Sequence, residues 1–178
     1  VLATPLHIHL LAHSPFALFG LVHTKQRFQQ FRPIKTTEKI DIHVWIDALR
    51  QVRNGGEFDV NTDAYVGKEK VWSATATTFT RSVEGHKKKQ ERESPPELGS
   101  AMTTEQLFLK ENLGRIYGKI SGDFNPIHVH SWLAKPFGYK RAIIHGMWSL
   151  ARAISTFPES PKELNAHFLR PIFLPGKV

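Results

Sequence analysis

Lys39-Ile40-Asp41-Ile42-His43-Val44-Trp45-Ile46 alternates polar and apolar residues one by one, the period of a half-buried strand. Asn54-Gly55-Gly56 is a strong turn signal, and Phe58 to Val66 reads as the strand after it. Gly67-Lys68-Glu69-Lys70 predicts a second turn. Val71 to Thr80 follows, rich in the Thr, Val, Trp and Phe that suit a pleated surface. Leu18 to Phe28 has strand composition too. Ahead of these strands, residues 4–13 predict a short helix with Thr4 as N-cap and Pro5 as first helical residue, ended by Ser14-Pro15.

The pattern changes after Arg81. Arg81 to Met102 is charged and carries Pro95-Pro96. It predicts a linker, set at 86–102 between a unit at 1–85 and a unit at 103–178. Thr103-Thr104-Glu105-Gln106 before Leu107-Phe108-Leu109 has the form of a capping box and predicts a short helix. Residues 115–121 fit a strand or a helical turn, and Gly122 breaks them. Asn125-Pro126 reads as an N-cap and a first helical position. Met147 to Ile154 predicts a buried helix, and Glu163 to Leu174 a strand. Phe31-Arg32-Pro33-Ile34 is echoed by Leu169-Arg170-Pro171-Ile172, each after a predicted helix and strand, which hints at duplication.

Composition narrows the chemistry. There is no cysteine among the 178 residues, which excludes disulfides, thiolate nucleophiles and cysteine zinc sites. No run approaches the roughly 18 apolar residues of a membrane span. The formal charge of +8 attracts acidic partners, phosphate-bearing ones among them. Its densest run, His86-Lys87-Lys88-Lys89, reads as a solvated loop, and without interleaved aromatics or a known module nucleic acid is not an expected partner. The chain starts at Val1 and stops at Gly176-Lys177-Val178, neither of which reads as a natural end. A cytoplasmic location is the working expectation.

The segment Tyr117-Gly118-Lys119-Ile120-Ser121-Gly122-Asp123-Phe124-Asn125-Pro126-Ile127-His128 carries the chemistry. Gly122 permits a sharp turn. A helix starting at Asn125-Pro126 puts His128 in its first turn, with Asp123 just outside. A carboxylate and an imidazole facing one small space can hold a water, one accepting its proton and the other donating. The plainer alternative is that Asp123 and Asn125 only cap a helix and His128 is an exposed first-turn residue.

Ser121-Gly122-Asp123-Phe124-Asn125-Pro126-Ile127-His128 resembles the signature of the MaoC-like (R)-specific enoyl-CoA hydratase/dehydratase family, hydratase 2. Ala134-Lys135-Pro136-Phe137-Gly138-Tyr139 and Ile143-Ile144-His145-Gly146-Met147 resemble its second block. Arg170-Pro171-Ile172-Phe173-Leu174-Pro175-Gly176 resembles the strand that follows. Pro15 to His23, Arg32-Pro33-Ile34 and Val71-Trp72-Ser73 resemble the non-catalytic half of double hot-dog members.

The resemblance implies an α+β double hot dog: in each of two units a helix is wrapped by a curved antiparallel sheet, with the second unit short of its last strands. Residues 4–13 and the helix opened by His145-Gly146 would be the two central helices. The implied activity is a hydro-lyase, reversible hydration of trans-2-enoyl-CoA to (R)-3-hydroxyacyl-CoA. Asp123 and His128 would activate the water. The Gly146 backbone N–H would meet the thioester oxygen, unless Gly146 is only a packing glycine. Asn125, Ser121, Tyr117 and His145 would support them. No cofactor is implied, coenzyme A arriving as the substrate's thioester. Lys135, Lys140 and Arg141 are candidates for its phosphates, with solvated surface as the alternative. The partner is an acyl-CoA or acyl-carrier thioester, and a homodimer of double hot dogs is open. A metal is not called for, because the histidines of His128-Val129-His130 and of His7-Ile8-His9 stand two apart and share no helix face. His7, His9, His13, His23 and His43 are expected as partly buried or surface residues. The alternatives are a dehydratase acting on acyl-carrier-protein thioesters and a non-catalytic hot-dog binding module.

Overall fold

The computed structural model describes residues 2–18, 20–81, 83–84 and 106–178. It opens with helix α1 (Thr4–Ala12). Strands β1 (Val22–Gln30), β2 (Asp41–Val52), β3 (Gly55–Val66) and β4 (Glu69–Thr80) follow. After the second-half strand β5 (Phe108–Leu109) come helices α2 (Leu113–Ser121), α3 (Pro126–Val129) and α4 (Ser131–Ala134), the last running into a 3-10 turn at Lys135–Phe137. Helix α5 (Gly146–Ile154), strand β6 (Glu163–His167) and strand β7 (Gly176–Lys177) complete the order.

The main sheet is antiparallel, with strand order β2-β3-β4-β1-β6. The hairpin between β2 and β3 turns at Asn54, whose positive φ of 65° suits the short polar side chain. On β3 the apolar residues Phe58 and Val60 are buried and gather Leu21, Leu10, Leu11 and Phe16 into a core. The Phe16 and Phe58 rings stack at 4.2 Å. That is how α1, which carries no cap and has no fully buried residue, is held against the strands.

The two echoed segments end in one place. β6 joins the sheet beside β1, in register from Lys25↔His167 to Gln29↔Glu163. α1 precedes β1 as α5 precedes β6, and an Arg-Pro-Ile leaves each strand. A second core, Leu109, Ala142, Ile144 and Leu174, lies beneath the second-half segments.

Several local expectations are corrected. Thr4 is already helical and Ala3 precedes it without a side-chain cap. β1 starts at Val22 rather than Leu18. Of the two readings for residues 115–121, strand or helical turn, the structure has the helical one, within α2. Thr103 to Glu105 lie outside the described residues, as does the linker expected over 86–102 with its lysine run. Phe108 and Leu109, expected in a helix, are a strand paired with Lys177 and Gly176. Leu109 is drawn into the second core, so tertiary pairing overrides the local helix signal. The strand expected from Glu163 to Leu174 stops at His167. Pro171 has no N–H to give a ladder, and pairing resumes only at Phe173, opposite Ile143.

Helix α2 lies close to the turn that follows it because of two glycines one turn apart. A Cβ on Gly114 would run into the His128 carbonyl, and one on Gly118 would sit 2.9 Å from the Asp123 carbonyl oxygen. Arg115, between them, donates to the Val129 carbonyl at 3.0 Å and ties α2 to the end of α3. In an ordinary helix interior Gly→Ala stabilises by up to ~1 kcal/mol. Gly114→Ala is expected instead to destabilise by about 1–3 kcal/mol, the range for overpacking. Urea unfolding of the variant checks this, and a rise in its midpoint would refute the close approach.

Candidate active site

The segment Ser121 to His128 folds as a tight turn joining α2 to α3. Gly122 ends α2 in the left-handed region, φ 77°, where a side chain would be strained. The Ser121 hydroxyl donates to the Tyr117 carbonyl at 3.0 Å and accepts from the Asp123 N–H at 3.2 Å. One oxygen of Asp123 accepts the Asn125 N–H at 3.0 Å. Asn125 is the N-cap of α3, its side-chain oxygen accepting from the Ile127 N–H at 3.4 Å, and its amide reaches the Leu21 carbonyl, also at 3.4 Å. This last bond ties the turn to the chain entering β1.

His128 is buried, in the first turn of α3. Its Nδ1 meets the Ile143 carbonyl at 2.8 Å. A carbonyl only accepts, so Nδ1 carries the proton and Nε2 of the neutral ring is left with its lone pair. Burial, assisted by the neighbouring His145, pushes the imidazole down to about 4, against the opposing pull of Asp123. The ring is therefore neutral at pH 7. The Asp123 side chain is 42% exposed, open to the space that His128 faces from within.

His145 joins the two. Its Nε2 donates to the Asp123 carbonyl at 3.0 Å and lies 3.9 Å from the Asp123 carboxylate. Its ring stacks on His128 at 3.8 Å and packs against Tyr117 at 5.0 Å. Burial lowers its pKa also. Its Nδ1 is buried without a hydrogen-bond partner.

Asp123, His128 and His145 each bring one polar side-chain atom within 4.8 Å of the other two. A water hydrogen-bonded to two groups at about 2.8 Å each spans ~4.5 Å between them, so the gap suits one bridging solvent molecule. A cation would need both imidazole lone pairs to converge on it at about 2.0 Å. His145 Nε2 is engaged in donating to the Asp123 carbonyl and His128 Nδ1 to the Ile143 carbonyl, which leaves one ring nitrogen on each for such a role.

The three groups open into a cavity of about 1190 Å³ shared by both halves. Tyr117, Ser121, Asp123, Asn125, His128, His145 and Gly146 line it from the second half, and His7, Leu21, His23, Val60 and Ala76 from the first. Gly146 is the first residue of α5, so its N–H has no acceptor within the helix. Lys135, Lys140 and Arg141 are exposed and do not line the cavity. Arg141 is engaged with the Pro175 carbonyl at 2.9 Å. The cations at the cavity wall are Arg81 and Arg170.

Sequence reasoning brings Asp123, His128, Asn125, Ser121, Tyr117, His145 and Gly146 to one site, and all seven line it. It pairs His128 with no other histidine, whereas the ring that meets it is His145, 17 positions on. His130 turns away toward Trp132 and Arg115. His9, His13 and His43 are exposed, but His7 and His23 are partly covered and reach the cavity. His7 bonds Thr62 at 2.7 Å, and burial lowers both imidazoles, His23 to about 4. No spacing within the chain marks His23, Arg81 or Phe168 as cavity residues. The i, i+4 pair Gly114 and Gly118 was a readable signal for close packing of α2.

No helix among the described residues is long and apolar enough to cross a membrane. The family model of the MaoC like domain matches residues 86–175. The chain is 30% identical over 171 residues to 3-hydroxyacyl-thioester dehydratase X of Mycobacterium tuberculosis, covering 91% of this chain and 59% of that protein. It is 24% identical over 179 residues to the peroxisomal enoyl-CoA hydratase 2 of Arabidopsis thaliana, covering 89% and 58%. The crystal structure of the mycobacterial HtdX superposes with a TM-score of 0.78 at 28% identity, over 99% of this chain and 70% of that one. The chain thus spans under two thirds of the length of both sequence relatives. The antiparallel curved sheet is the hot-dog fold of these structural neighbours. From its signature turn, its fold and its matched domain, the chain belongs to the MaoC-like dehydratase family.

Proposed function

We propose that this site reversibly hydrates trans-2-enoyl thioesters, coenzyme A esters first, to (R)-3-hydroxyacyl thioesters. The observation that carries the reading is a neutral, buried imidazole and a half-exposed carboxylate that come within 4.8 Å of each other at the wall of one cavity. The names of the relatives, a 3-hydroxyacyl-thioester dehydratase and an enoyl-CoA hydratase, support the reaction class.

In the hydration direction the bridging water attacks C3. Its proton passes to Nε2 of His128, and the C2–C3 π electrons move toward the thioester oxygen. That oxygen becomes anionic beside the free Gly146 N–H, at the positive end of α5. The imidazolium formed at His128 has the Asp123 carboxylate close by, an interaction absent before proton transfer and so specific to the transition state. Return of the proton to C2 completes the addition. Dehydration runs the same steps backward. His145 keeps the Asp123 backbone and the His128 ring in fixed relation throughout.

The cavity suits the rest of the substrate. Leu21, Val60 and Ala76 offer an apolar wall to an acyl chain. Arg81 and Arg170 are the cations nearest that space and would face the phosphates of coenzyme A.

Hydration of crotonyl-CoA, followed by loss of enoyl absorbance, tests the reading. Asp123→Asn and His128→Gln are each expected to lower kcat by about 10²–10⁴-fold, the usual worth of a positioned acid–base group. Full activity in either variant would end the assignment. The acceptor form of His128 is the deprotonated one, present above its pKa and lost below it. The kcat/KM of hydration is therefore expected to stay flat from neutrality downward and to fall only as pH drops through about 4. An acidic limb near the ordinary histidine value, about 6.5, would assign it to another group. Arg81→Glu is expected to raise KM for the coenzyme A ester. It should leave KM for the pantetheine ester of the same acyl group nearly unchanged, since that ester lacks the nucleotide phosphates.

A further inference from the structure

The Phe168 ring stands where the two halves of the cavity meet. A Cβ built on Gly146 would lie 3.0, 3.1 and 3.1 Å from Cδ1, Cδ2 and Cε1 of Phe168. Near-equal distances to three ring atoms mean that the ring lies flat over the glycine. The ring also meets His23 edge to face, with centroids 5.0 Å apart. The Phe168 N–H donates to the Thr24 carbonyl at 2.8 Å, and the His23 ring is held to the Lys25 carbonyl at 2.9 Å. The Phe168 backbone and the His23 ring are thereby both tied to β1. Phe168 lines the cavity with Gly146, His145 and His23.

The hydratase reading fixes where an acyl thioester must thread. Its oxygen meets the Gly146 N–H and its C3 meets the water between Asp123 and His128. C2 is bonded to both the thioester carbon and C3, so it passes directly beside Gly146. A hydrogen on C2 needs little room there, whereas a methyl group needs a space about 2 Å deeper, within the reach of a ring packed flat on the glycine.

We propose that Phe168 sets the substrate class of this site: packed against Gly146 and His23, its ring fills the flank of C2, so the site accepts acyl thioesters unbranched at C2 and rejects those with a C2 methyl group. The inference rests on the hydratase reading and adds a specificity residue to it. Phe168 plays no part in moving protons.

The test compares crotonyl-CoA with its C2-methyl analogue, tiglyl-CoA, on the full chain and on Phe168→Ala and Phe168→Leu. Discrimination by a single methyl group is typically 10–200-fold in kcat/KM. The unaltered chain is expected to favour crotonyl-CoA by at least about tenfold. Phe168→Leu should narrow the ratio and Phe168→Ala should bring it close to unity, mainly through a gain on tiglyl-CoA. Retained crotonyl-CoA hydration by Phe168→Leu shows that the fold survives should the alanine variant not. If the unaltered chain hydrates both esters equally, or if Phe168→Leu is active with the ratio unchanged, the specificity role of Phe168 is overturned and the hydratase reading stands. If the unaltered chain hydrates neither ester, the hydratase reading falls and the inference falls with it.

Discussion

The hydrogen bond from His145 Nε2 to the Asp123 carbonyl is the contact on which the site's geometry turns. Asp123 sits in a turn between helices and His145 sits at the head of a third, so nothing local relates them. The bond fixes the backbone behind the carboxylate rather than the carboxylate itself. The acid group thus stays free to face solvent while its Cα cannot drift. The same imidazole lies flat on His128. One ring therefore sets the distance between the two groups that would share a water. The Gly118 approach works from the opposite side, where the absence of a side chain lets α2 press on that carbonyl.

The protonation pattern follows from this crowding. Four of the cavity's imidazoles, those of His7, His23, His128 and His145, are held below their ordinary range, with burial as the main cause in each. Charging one of two stacked rings would place a cation against its neighbour in a low-dielectric space. Asp123 opposes that penalty without overcoming it. The result is a neutral acceptor beside an anion, in a chain of net charge +8. Among the described residues, positive charge at the wall is carried by Arg81 and Arg170, side chains separate from the buried imidazoles.

The sequence was legible where physics is local. Asn125-Pro126 predicts a cap and a helix start, and the structure has both. Gly122 predicts a break and adopts a positive φ. The alternation in 39–46 and the Asn54-Gly55-Gly56 turn predict a hairpin that forms as β2 and β3. Failures came where distant segments decide. Phe108 and Leu109 belong to a strand only because Gly176 and Lys177 lie opposite them. The turn's spacing brings Asp123 and His128 together, and the family resemblance of two short blocks adds Tyr117, Ser121, Asn125, His145 and Gly146. His23 and Phe168 could not be read in either way, since their place in the cavity depends on the pairing of β1 with β6, 134 to 142 positions apart.

That pairing also explains why the first half matters to a site whose candidate acid–base groups all come from the second. Through β1 and β6 the sheet carries Phe168 to the N-terminus of α5 and His23 against its ring. The Asn125 amide reaches back to the Leu21 carbonyl, just ahead of β1. The turn bearing Asp123 is thus braced against the first half at one point and walled by it at another. A half that supplied only apolar surface for a tail would need neither contact. The register of two adjacent strands therefore sets where Phe168 meets Gly146, and a one-residue slip would turn the side chains of β6 to the opposite face of the sheet.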